Sequence, residues 1–149
     1  MYLSVSGAED LGVLAKRLKE VGDKELKKEL LRGIRLGTKG THAKIRESAL
    51  ENLPSSGGLN ALIAKSKIST KTRMSGRWTG INIKATDRHE VDAINRGFVR
   101  HPVYGNRTKW VTQPVTAGWF KAPIEADAPE IRDAIGQVMK DIATKLERN

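Results

Sequence analysis

Apolar residues recur at Leu11, Leu14, Leu18 and Val21, steps of three and four that set one face of a helix across residues 8 to 22. Gly22-Asp23 interrupts this run, and Asp23 is placed to cap a second helix. Beyond it Leu26, Leu30, Ile34, Thr41, Ile45 and Ala49 continue the spacing toward Pro54, so residues 8 to 53 form one helical region. Gly33, Gly37 and Gly40 weaken it, each by up to about 1 kcal/mol relative to alanine. They imply that packing compensates or that a neighbour approaches closely. Pro54-Ser55-Ser56-Gly57-Gly58 ends the helix as a flexible turn.

From Lys65 the period becomes two. Lys65, Lys67, Ser69, Lys71 and Arg73 alternate with Ser66, Ile68, Thr70, Thr72 and Met74, which in a strand puts every base on one face. After a turn at Gly76, Thr79, Ile81, Ile83 and Ala85 oppose Trp78, Asn82 and Lys84. The span 65–85 therefore predicts a β-hairpin whose apolar side rests on the N-terminal helix, with a third strand or helical cover needed for stability. Val91, Ala93 and Ile94 suit a short helix or an edge strand. Residues 97–118, with Pro102, Gly105 and Pro114 among bases and aromatics, predict a long functional loop. Ile131, Ile135, Val138, Ile142 and Leu146 then mark a closing helix over 127–147. Asp127 and Glu130 give it a capping signal, and Pro129 sits in its first turn. A start near Pro123 would instead make Pro129 a kink.

The fold class that follows is α+β in a single domain, 1–149. A long N-terminal helix and a C-terminal helix pack on a small antiparallel sheet built around a β-hairpin, with a long basic loop.

Charge changes this picture by locating a surface. The chain carries 27 basic and 17 acidic residues, a formal net charge of +10. Residues 1–60 hold 11 basic and 8 acidic side chains, residues 61–121 hold 12 and 3, and residues 122–149 hold 4 and 6. The excess is thus concentrated in the middle of the chain, as either a solvated face or a docking surface for an anionic partner. The candidates are Lys65, Lys67, Lys71 and Arg73 on the strand, and Arg100, Tyr104, Arg107, Lys109 and Trp110 in the loop. They offer phosphate partners and, with Trp78, rings for base stacking, yet no helix-turn-helix, zinc-finger or RNP motif accompanies them.

No signature of catalysis accompanies the basic surface. Cysteine is absent, which removes thiol nucleophiles and thiolate metal sites. His42, His89 and His101 lie far apart, without the spacing of a helical zinc site. Gly37-Thr38-Lys39-Gly40-Thr41 lacks the residue order of a phosphate loop. A non-enzymatic protein without cofactor or metal is expected. The first residues lack a charged and apolar leader, and no run is long enough to span a membrane, so cytoplasmic synthesis and no membrane partner are expected.

One stretch resembles a known family. Gly97-Phe98-Val99-Arg100-His101-Pro102-Val103-Tyr104-Gly105-Asn106-Arg107, then Trp110-Val111-Thr112-Gln113-Pro114-Val115, then Trp119-Phe120 before an alanine-containing helix, is similar to the tail-completion, or head-tail joining (neck), proteins of siphophages. The order of elements also matches across most of the chain. The resemblance implies a structural virion protein at the head-tail junction. It would form a homo-oligomeric ring, commonly of six subunits, between the head-closure or connector proteins and the tail terminator or tail tube, with packaged DNA passing through. It carries over no catalytic residue. The alternative reading is a sequence-independent nucleic-acid-binding protein.

Overall fold

The structure is a computed structural model that describes residues 2–5, 9–77, 79–103 and 106–148, with side chains described from residue 11 onward. The elements are β1 (Tyr2–Val5), α1 (Glu9–Val21), α2 (Lys24–Asn52), a 3-10 turn (Ser56–Gly58), α3 (Leu59–Ala64), β2 (Lys67–Arg73) and β3 (Gly80–Thr86). They continue with α4 (Val91–Arg96), β4 (Phe98–Val103), β5 (Asn106–Pro114) and α5 (Lys121–Arg148). No described helix is long and apolar enough to cross a membrane.

The helical spacing read from the sequence is the spacing of burial except at Val21, which the end of α1 leaves 59% exposed. Leu26, Leu30, Ile34, Thr38, Thr41, Ile45 and Ala49 form the buried stripe of α2, and Ile131, Ile135, Ile142 and Leu146 that of α5. The two helices pack against each other, and the glycines explain how closely. A Cβ at Gly33 would lie 2.5 Å from Val138 Cγ1, and one at Gly37 would lie 3.5 Å from the Ala134 Cβ. The contact at Gly37 is an ordinary one and at Gly40 a Cβ would meet nothing within 4 Å, so close approach accounts for Gly33 alone. Asp23 caps α2 as its sequence position suggests, its carboxylate accepting from the Leu26 N–H at 3.0 Å.

Two small antiparallel sheets complete the fold. The first has the order β1-β3-β2, so the third strand that the hairpin requires is β1, paired with β3 from Tyr2↔Lys84 to Val5↔Ile81. Ile68, Ile81, Ile83 and Ala85 turn inward, and α2 covers that side. Where the covering helix carries polar groups they are satisfied. Thr38 and Thr70 share a hydrogen bond of 2.7 Å between hydroxyls, and His42 Nε2 bonds the Thr70 hydroxyl at 2.8 Å. Arg46 donates to the carbonyls of Ala64 and Ser66, fixing the approach to β2.

Three expectations are corrected. The stretch 97–118 is not an irregular loop: its core is a second hairpin, β4–β5, running in register from Phe98↔Pro114 to Pro102↔Trp110, with an irregularity after Pro102. Its β-branched and aromatic residues favour strand, and the alternation is hidden because polar groups occupy both faces. The Pro54–Gly58 turn leads directly into the short helix α3 rather than ending the helical region. The closing helix begins at Lys121, ahead of Asp127, and Pro129 lies inside it. Asp127 is therefore no cap. It is buried between helices, accepting from the Thr41 hydroxyl at 2.8 Å and from Lys44 Nζ at 2.7 Å. Burial pushes its carboxyl up, but the bonds from Lys44 and Thr41 and the Lys44 charge together hold it below the ordinary carboxylate range.

Candidate interaction surfaces

The first surface is the outer face of the three-stranded sheet. Because β2 and β3 pair Ser69 with Lys84 and Lys71 with Asn82, the alternation that buries the isoleucines points Lys67, Lys71, Arg73 and Lys84 outward together. All four are exposed, and no acidic residue of β2 or β3 stands among them. Lys65, exposed at the end of α3, precedes this row. Lys84 is the member that the sequence pattern placed on the polar side of its strand without marking it as a site.

The second surface is the β4–β5 hairpin, an arm held firmly at its root, with β4 partly buried and β5 exposed along its length. At the root Gly97 adopts φ 107°, a left-handed conformation that a side chain would strain. It caps α4, and its carbonyl accepts from the Val115 N–H at 2.9 Å. Asn95 acts across the junction: its carbonyl accepts from Gly118 N–H at 2.8 Å, and its side-chain oxygen accepts from the N–H groups of Phe120 at 3.0 Å and Lys121 at 3.2 Å. Those N–H groups belong to the start of α5, so a residue of α4 supplies the cap of the last helix. Trp119 and Phe120, edge to face at 5.7 Å and both buried, pin the same junction into the core.

Beyond the root the contacts thin out. Every residue of β5 is exposed, including Trp110 at 50% and Val111 at 40%. Trp110 is thus not a core anchor. Its indole N–H donates to the Arg107 carbonyl at 2.9 Å, and the Arg100 guanidinium lies 5.6 Å from its ring centre on the same face of the hairpin. Arg107 and Lys109 are exposed beside it, while Tyr104 and Trp78 lie outside the described residues. Of the nine sequence-predicted residues the structure thus unites three on the sheet face and four on the arm, and these stand on separate sheets. Asn95 had no local signal at all, since its partners follow it by 25 and 26 positions.

Other polar clusters are structural in their visible contacts. Asp87 accepts from both the backbone N–H of His89, at 3.0 Å, and its ring Nδ1, at 2.5 Å, which closes the turn before α4 and holds the carboxyl below its usual range. Among the described residues no group of three histidine or carboxylate side chains is arranged to hold a metal ion. A cleft of about 680 Å³ lies between α1 and the β2–β3 turn and is rimmed by Lys16, Lys19, Lys24 and Lys27 over Leu18 and Met74. Comparison with known protein families, characterised proteins and solved structures finds no match to this chain.

Proposed function

We propose that the chain is a structural subunit of the head-tail junction of a siphophage virion, joined to its neighbours in a ring by the β4–β5 arm. The observation that carries this reading is the exposure of all nine residues of β5. A two-stranded hairpin alone is marginal in water. A hairpin with one strand exposed throughout, a half-exposed tryptophan and three arginine or lysine side chains has the composition of an interface in search of its other half. The likeness of residues 97–120 to tail-completion proteins supplies the setting. A basic outer sheet face suits a subunit that passes close to DNA or meets an acidic neighbour.

The test is replacement of Arg107 and Trp110 together by alanine in a phage carrying this gene. Both side chains are largely exposed, so the melting temperature of the isolated chain should change little. Unjoined heads and tails should accumulate. Particles joined at the normal frequency would sink the reading.

The sheet face favours a second reading, a sequence-independent nucleic-acid binder, because Lys67, Lys71, Arg73 and Lys84 form an unopposed cationic row. Binding of labelled duplex DNA that weakens steeply with salt, and weakens again on Lys67→Glu with Lys71→Glu, would favour it.

A further inference from the structure

An arm that docks needs a receiving surface, and the chain itself carries one of matching charge. Between Asp92 and Glu125 there is no acidic residue, so the arm is purely basic. The closing helix reverses the balance, since residues 122–149 hold 6 acidic and 4 basic side chains. With Ile124, Ile131 and Ile135 buried, helical geometry turns Glu130 and Asp133 outward together along the first half of α5, with Glu125 and Arg132 on the other flank, and all four are exposed. Ala126 and Pro129, both small and exposed, lie on the same side of the helix as Glu130 and Asp133.

Within the chain Glu125 is already paired, its Oε1 3.5 Å from Lys121 Nζ, while Glu130, Asp133, Arg107 and Lys109 stay exposed. Like surfaces cannot meet: arm on arm sets base against base, and ridge on ridge sets acid against acid. The charge pattern therefore selects a heterologous contact, arm to helix, which builds a ring wherever the rotation closes. The acidic stretch Asp87 to Asp92 is a poorer receiver because Asp87 is held by His89. Lys44 lies close enough to Glu130 to feel its charge, but its ammonium is bound to Asp127 at 2.7 Å.

We infer that the arm of one subunit docks, through Arg107 and Lys109, on the Glu130 and Asp133 ridge of α5 in a second copy of the chain. This rests on the reading of the arm as the joint. Two charge-reversed chains test it by sedimentation velocity at low salt and high protein concentration: Arg107→Glu with Lys109→Glu, and Glu130→Lys with Asp133→Lys. The wild type should self-associate. Each variant alone should associate at least about tenfold more weakly, the scale expected when two exposed attractions become repulsions. An equimolar mixture should recover the wild-type behaviour, because the acidic arm then meets the basic ridge and the reverse. If either reversed chain fails to fold, the neutral pairs Arg107→Gln with Lys109→Gln and Glu130→Gln with Asp133→Asn should show a smaller loss in the same direction. A wild type that stays monomeric at low salt overturns the inference. Loss of association in the arm variant alone, with the ridge variant unaffected, also overturns it yet leaves the arm as the joint. Only normally joined particles from the arm variant would remove both.

Discussion

Substituting alanine for glycine at two positions of α2 should move stability in opposite directions, and the difference measures how hard α5 presses on that helix. At either position alanine gains up to about 1 kcal/mol of helix propensity. At Gly40 nothing opposes the gain, since the new Cβ meets no atom within 4 Å. Gly40→Ala should therefore stabilise by nearly that amount. At Gly33 the new Cβ falls 2.5 Å from Val138 Cγ1, 3.0 Å from Cγ2 and 3.4 Å from its Cβ. A helical valine has essentially one rotamer, so Val138 cannot swing aside and the helices must part. Overpacking of this kind costs about 1–3 kcal/mol. The propensity gain is common to both variants and cancels in their comparison, leaving Gly33→Ala about 1–3 kcal/mol less stable than Gly40→Ala. Urea unfolding followed by far-UV circular dichroism reads this as a shift in midpoint at constant slope. Truncating the opposing residue, as Gly33→Ala with Val138→Ala, should recover part of the loss. Equal shifts in the same direction for the two single variants would refute the close contact of α2 with α5.

Two further outcomes follow from polar groups. Burial first, and then the Arg46 charge, hold the His42 pKa below the ordinary histidine range, so the unfolded chain takes up this proton more readily. The contribution of neutral His42 is complete above about pH 6.5 and is lost as pH falls through the folded value; His42→Gln should remove that part of the slope in a melting series, and identical slopes would show that other groups produce it. Asn95→Ala removes the acceptor of the Phe120 and Lys121 N–H groups and should cost about 1 kcal/mol, as for a lost helix cap; an unchanged urea midpoint would mean that water serves those groups as well.

The contrast between Asp127 and Asn95 shows where the sequence stops speaking. Helix faces and the first hairpin were legible because one side of each is buried, and burial writes its period into the chain. The arm was read as a loop because β5 is exposed on both sides, so no period is written there, although its basic and aromatic residues were recognisable as interface candidates. Asp127 carried a local capping signal that tertiary contacts overrode: Thr41 and Lys44 on α2 hold its carboxylate more than 80 positions away in sequence. Asn95 performs the capping instead, by a contact that only the fold creates. Strand β1, four residues long, and helix α3, six, are too short for either period to show.

The root of the arm bears on what kind of assembly it can build. Val91, Ala93 and Ile94 bury α4, Gly97 turns the chain at φ 107°, and Asn95 ties that turn to the first N–H groups of α5. The arm and the acidic ridge thus leave the same junction, where Trp119 and Phe120 are buried, and their mutual angle is set by the core rather than by a linker. A flexible tether would lose entropy on docking and would accept many angles between subunits. A fixed root loses little and accepts one. In the proposed arm-to-helix contact that angle is the rotation relating neighbouring subunits, and a single repeated rotation is what separates a closed ring from an irregular chain. Loosening the root, as Asn95→Ala is expected to do, should therefore broaden the distribution of assembled sizes before it abolishes association.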